Sequence, residues 1–319
     1  MFVPTLDAGA AFIPANDCPH CLASIASPAL RAVVTQTAED AAPADLLVSG
    51  QPDWLSLCPH GAVTGRILMM RDDYGTRFAV LAECGYPGGV DPHVFSFDID
   101  ACSVVDLAGA AVFDSVDEAA SAWRASKGDT ARTALPELVR EYGQLDCLVQ
   151  SRLSPDGPFR GAEPRAVAEN VFRASRRAHD VARALAEPGQ RQPAFRNLYC
   201  DREDEIEAAA KRFGAWHEQR HGSEPSSDVV LWLAADWLEG TLPCCVSGVS
   251  PHRVKDLMSY MKDTWLPGEP AITAALELLP EWIRWNGEQA DVPGQLIERA
   301  VAVAQGHPPN ADECPPFTL

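Results

Sequence analysis

The chain has 319 residues, 46% of them hydrophobic and 22% charged, an ordinary globular balance long enough for two modest domains or one large one. Its formal net charge is −19, and the excess is uneven: 17 acidic but only 6 basic side chains occur through Thr130. A surface of that sign repels phosphate backbones and anionic lipid, which argues against nucleic acid and membrane as partners.

The N-terminal stretch Met1 to Asp17 has no basic residue, and Pro4, Asp7 and Pro14 interrupt its apolar run, so it does not read as a secretory signal. No stretch reaches the apolar length that crosses a bilayer. A cytoplasmic setting is therefore expected. In a reducing compartment the ten cysteines are metal ligands or buried thiols rather than disulfides.

The first chemical signal is Cys18-Pro-His-Cys21, echoed by Cys58-Pro-His-Gly61. A CxxC turn aims two thiolates at one point, and a second knuckle supplies the other side of a tetrahedron, which suits zinc. Next, Arg66 to Met70 and Phe78 to Ala82 flank the polar turn Arg71-Asp-Asp-Tyr-Gly75, the pattern of a β-hairpin. His93 to Asp100 alternates as a strand, with Asp98 and Asp100 on one face as a cation or acid–base pair or as the wet side of an edge strand. Ser115-Val-Asp-Glu118 is a capping box that opens a helix through Trp123.

From Pro136 the pattern turns helical. Segments run Pro136 to Leu148, Pro164 to Leu185, Asp201 to His221, Asp228 to Glu239, Pro251 to Trp265, Pro270 to Leu279, Pro280 to Trp285 and Pro293 to Ala304, many of them opened by proline. The expected fold class is α+β: a zinc-ribbon-like β/α domain over 1–130, an all-α domain over 131–306 and a loose tail over 307–319. In the helical part Trp232, Leu233, Trp237, Leu279, Trp282 and Ile283 read as core.

The segments Ile13 to Cys21, Leu47 to Gly61 and Met69 to Phe78 together resemble the CpXC domain, over about the first quarter of the chain. The resemblance implies a bacterial zinc-ribbon-like unit with Cys18, Cys21 and Cys58 as ligands. The fourth cysteine of that pattern would fall on Gly61. His60 is the favoured replacement, with His20 and Cys84 as alternatives. The C-terminal helices show a fainter likeness to uncharacterised actinobacterial proteins, carried by Leu231 to Leu238 and Leu278 to Trp285.

Three further constellations carry chemistry. His217-Glu-Gln-Arg-His221 matches the H-E-x-x-H pattern, with Glu239 as a possible third ligand, but Gln219 and Arg220 are polar and Gly222 and Pro225 end the helix. Cys244-Cys245 pairs two thiols in a loop, read as buried. Arg173, Arg176, Arg177 and Arg183 with Arg165 form the one basic stripe, a phosphate or acidic-partner surface or a solvated helix face. No phosphate-binding glycine loop, dinucleotide fingerprint or G-x-S-x-G elbow occurs. The functional expectation is a zinc-stabilised binding or regulatory protein, holding Zn2+ and contacting another protein through its helical half. The alternative is a metallohydrolase in which Glu218 activates water between His217 and His221.

Overall fold

A computed structural model describes residues 65–86, 90–102, 105–140, 202–239, 245–264 and 270–310, with positions 145 and 241 and part of 174–185. The described chain starts as an antiparallel sheet and continues as helices. The sheet contains β1 (Ile67–Arg71), β2 (Arg77–Tyr86), β3 (Val90–Asp100), β4 (Asp106–Phe113) and β5 (Glu137–Leu138), in the spatial order β4-β3-β2-β1-β5.

The expected hairpin is present, with Leu68 opposite Leu81 and Met70 opposite Ala79. Asp72 holds its turn: one carboxylate oxygen accepts the backbone N–H groups of Thr76 and Arg77 at 2.9 and 3.0 Å. Alternation along the strands gives two buried faces. Ile67, Phe78, Val80, Phe95, Phe97 and Ile99 belong to one apolar layer, which Ala174, Val181 and Cys245 join. Leu68, Met70, Ala79, Leu81 and Val94 pack on the other side against Ala119, Ala120 and Trp123 of α1 (Val116–Lys127). Burial on both faces explains why β2 reads as a nearly unbroken apolar run. Ser115 caps α1 by accepting the Glu118 N–H at 3.2 Å, while the Glu118 carboxylate reaches back to the Asp114 N–H at 3.1 Å.

Two expectations need correction, and one strand was not foreseen. The helix from Pro136 is not formed at its start, where Glu137–Leu138 pairs with β1 instead. The exposed ladder edge of β1 outweighs the helix propensity of a short polar-apolar run. β3 is a central strand, so Asp98 and Asp100 do not lie on an edge. β4, rich in alanine and glycine, carried too little strand propensity to be foreseen.

The helical part comprises α2 (Glu203–His221), α3 (Ser227–Leu238), α4 (Pro251–Thr264), α5 (Pro270–Gln289) and α6 (Gly294–Ala304). Its core gathers Phe213, Leu233, Trp237, Leu279, Trp282 and Ile283, each 2% exposed or less. Trp232 departs from the expected core at 43% exposure. The expected break at Pro280 is also absent: α5 runs through it. Leu279, Trp282 and Ile283 anchor both sides of the proline, so packing outweighs the lost backbone hydrogen bond. Among the described residues no helix is long and apolar enough to cross a membrane.

The two parts meet at the β1–β2 turn. Tyr74, 2% exposed, leaves the sheet and joins the helical core. Gly248 lies against this turn so closely that a Cβ there would sit 2.6 Å from Thr76 Cγ2 and 3.1 Å from the Tyr74 carbonyl. Only glycine fits this approach.

Candidate metal centre

The end of β3 delivers two polar side chains to this junction. Asp100 lies opposite Arg77 in the ladder, with its carboxylate 3.5 Å from Arg77 Nε. The chain then turns so that the Cys102 N–H donates to Asp100 Oδ1 at 2.9 Å. The Cys102 thiol donates to Thr76 Oγ1 at 3.3 Å and accepts from the Ser250 hydroxyl at 3.2 Å. Ser250 also accepts the Arg253 N–H at 3.3 Å, the N-cap arrangement that starts α4 and sets His252 in its first turn.

The result is a gathering of Asp100, Cys102 and His252, one ligand atom from each lying within 4.8 Å of the others. Cys102 is 1% and His252 6% exposed. Among the described residues no other group of histidine, cysteine and acidic side chains meets this distance.

The donor set fits a zinc ion. Thiolate, imidazole and carboxylate are its three common protein ligands, and bond lengths of about 2.0–2.3 Å need only a modest closing of the observed separations. Asp256, one turn along α4, lies 3.4 Å from His252 Nε2, the carboxylate–imidazole relation that orients metal-binding histidines. Burial pushes the Cys102 thiol well above its ordinary range, so without a cation the sulfur keeps its proton. Arg77, 7% exposed at its side chain, opposes a second cation here but also has Asp72 and Asp100 as counter-charges. Cys102, His252 and Asp256 also follow the nucleophile–base–carboxylate order of thiol hydrolases, yet the buried thiol offers a substrate no approach in this structure.

Asp72 adds a titration to the junction. Its side chain is buried, and burial pushes its carboxyl up to about 6, against the N–H donors of Arg77 and Thr76 and the Arg77 charge, with the nearby Asp100 charge adding a smaller push in the same upward direction. Its Oδ2 has no hydrogen-bond partner. A folded-state value above the unfolded one means that this group's stability contribution is complete below about pH 4 and lost as pH rises through about 6. The loss is on the order of 2–3 kcal/mol. Chemical denaturation of the native protein between pH 4 and pH 8 should show this decline. Asp72→Asn, which keeps the Oδ1 acceptor, should flatten it; parallel profiles for the two proteins would refute the assignment.

Beside the junction opens a cleft of about 820 Å³, bordered by Asp72, Asp73, Tyr74, Gly248, Asp291 and Val292.

Of the residues singled out from sequence, Cys18, His20, Cys21, Cys58, His60 and Cys244 lie outside the described residues. Cys84 is buried in the sheet's apolar layer, where desolvation raises its thiol to about 11. Asp98 accepts from Trp123 Nε1 at 3.0 Å and Lys127 Nζ at 2.6 Å and thus fastens α1 to the sheet. Cys245 is buried as expected.

The two histidines of the H-E-x-x-H pattern lie side by side, ring centroids 4.4 Å apart, but among the described residues no third histidine, cysteine or acidic ligand joins them within 4.8 Å. His217 Nδ1 lies 2.9 Å from the Ser223 carbonyl, and His221 Nε2 lies 3.1 Å from Glu281 Oε2. Glu239 hydrogen-bonds Tyr260. His217 instead packs on Phe213, ring centroids 5.8 Å apart, and Gly222, with φ 74°, closes the helix directly after His221.

Sequence reasoning did not find the Asp100–Cys102–His252 group. Asp100-Ala-Cys102 is a common local pattern, and His252 follows 150 positions later, so no spacing rule joins them. Compared with protein families, with curated proteins and with solved structures, the chain finds no match.

Proposed function

We propose that this chain is a zinc-stabilised binding protein whose ion, held by Asp100, Cys102 and His252, fastens the sheet to the helical half. The observation that carries this reading is the convergence of three different metal-binding groups, two of them buried and one half-buried, from two distant segments. A buried cysteine and histidine beside a half-buried aspartate are costly to gather without a shared role. A bound ion would contribute directly to folding free energy. The helical half then contacts another protein, and the cleft beside the junction is one concave surface that could take part. The zinc-ribbon-like unit around Cys18, Cys21, Cys58 and His60 belongs to the same proposal as a second, independent zinc position. A hydrolase built on His217, Glu218 and His221 lacks a comparable gathering of ligands.

The test is metal content of the full chain purified without chelator. Cys102→Ser should lose one zinc equivalent that Cys18→Ser/Cys21→Ser keeps, and the double variant should lose the other. Replacing zinc by cobalt gives a second readout, because Cys102→Ser removes one thiolate's charge-transfer absorption while His252→Gln shifts the ligand-field bands. Unchanged metal content and spectra in both Cys102→Ser and His252→Gln would overturn the junction site.

A further inference from the structure

The basic stripe turns inward. Arg176, Arg177 and Arg183 all face the buried Asp180 carboxylate within 3.2 Å, and Arg165 and Arg173 lie outside the described residues. With a net charge of −19 the field of the chain favours cations. The cleft beside the junction concentrates that preference.

Among the described residues the cleft is bordered by four carboxylates, those of Asp72, Asp73, Glu137 and Asp291, against the single guanidinium of Arg71. They come from the β1–β2 turn, from β5 and from the turn between α5 and α6. Asp72 is 3% exposed. Its Oδ1 holds the hairpin turn, and its Oδ2 has no hydrogen-bond partner. Its carboxyl stands at about 6 in spite of two N–H donors and the Arg77 charge, so the fold leaves its negative charge partly uncompensated. Asp73 accepts from the Thr133 hydroxyl at 3.3 Å, a neutral partner. Asp291 closes α5 with φ 52°, and the Val292 N–H returns to the Gly287 carbonyl at 2.9 Å. Glycine or asparagine usually fills that left-handed position, and a negative charge there opposes the helix dipole. The helix end by itself gives no reason for a carboxylate at 291.

We propose that this cleft binds a short linear polyamine, with Asp72 Oδ2 taking one ammonium group and the outer carboxylates the others. A volume of about 820 Å³ admits a small organic molecule. No three of the four carboxylates fall within the 4.8 Å of one another that a single metal ion requires, so the charge is spread along the wall. Apolar side chains share that wall, among them Met69, Val292 and the 71% exposed Leu135. They suit the methylene links between amines, as they would the stem of a lysine. None of Asp100, Cys102 and His252 borders the cleft, so this binding is independent of the ion at the junction. It weakens with salt.

The experiment titrates the full chain by calorimetry at neutral pH and low ionic strength. The probes are spermidine, the compact hexaamminecobalt(III) ion of equal charge, and a capped trilysine peptide. Spermidine should bind saturably and about tenfold more tightly than the cobalt complex. Asp72→Asn, which keeps the Oδ1 acceptor, should weaken spermidine binding about tenfold or more. Asp291→Asn should weaken it severalfold while leaving the urea midpoint unchanged or higher, because asparagine suits the helix end. Glu207→Gln removes the same charge from an exposed position on α2, away from the cleft, and should leave binding unchanged. No saturable binding of spermidine, or equal binding by native protein, Asp72→Asn and Asp291→Asn, would overturn the site. The cobalt complex binding as tightly as spermidine would reduce it to a general charge effect and overturn it too. Tighter binding of the peptide than of spermidine would overturn the free amine as the occupant.

Discussion

Replacing Arg253 by methionine should destabilise the protein by about 3–5 kcal/mol, among the largest effects of any single change. The side chain is 4% exposed. One guanidinium nitrogen donates to the Cys245 and Gly248 carbonyls at 2.6 and 2.9 Å, the other to the Trp237 carbonyl and Thr241 Oγ1 at 2.6 and 3.0 Å. The group also lies 4.1 Å from the centroid of the Trp237 ring. Burial lowers its pKa only to about 10, so it stays charged at neutral pH. The helix α3 ends here, and its last carbonyls need donors. Arg253 serves Trp237 while Arg202 serves Leu238 and Thr241 at 2.8 and 2.6 Å. Methionine would fill the volume but leave several buried acceptors without partners. Lysine should recover only part of the loss, because a point ammonium cannot match a planar fork with four acceptors. Urea denaturation midpoints measure both. A loss under about 1 kcal/mol for Arg253→Met would show that the loop has other support.

Trp282→Ala should cost a similar amount, about 3–5 kcal/mol, for a different reason. Trp282 is 1% exposed and touches Phe213 and Trp285 with ring centroids 5.0 Å away, and Trp237 at 6.5 Å. Its indole N–H has no hydrogen-bond partner, so its contribution is volume and ring contact alone. Trp282→Phe should therefore cost much less, about 1–2 kcal/mol. Equal losses for the two variants would mean that the N–H matters after all. Because Trp237 touches both Trp282 and Arg253, the Arg253→Met/Trp282→Ala double variant should be non-additive.

The sequence by itself determined what depends on neighbours along the chain. The hairpin followed from two apolar runs around Asp72 to Gly75, the α1 start from Ser115 and Glu118, and most helices in the C-terminal part from proline starts and apolar spacing. Those signals act over a few residues, so one sequence suffices to read them. It also determined the aromatic core, with Trp237 and Trp282 correctly placed and Trp232 not, because a helix with apolar residues nearly all round does not reveal which tryptophan faces out.

Tertiary structure decided what depends on partners distant in sequence. Glu137–Leu138 became a strand because β1 offered it an edge. Pro280 stayed inside α5 because core packing held both sides of it. Arg176, read as a surface charge, lies buried because Ala174 and Val181 on either side of it join the sheet's apolar layer. The candidate metal centre is the clearest case. Cys102 and His252 carry no motif of their own, and they become a site only where the end of β3 and the start of α4 meet around Thr76 and Ser250. A ligand set of that kind is fixed by the packing of sheet on helices, and no local spacing in the chain encodes it.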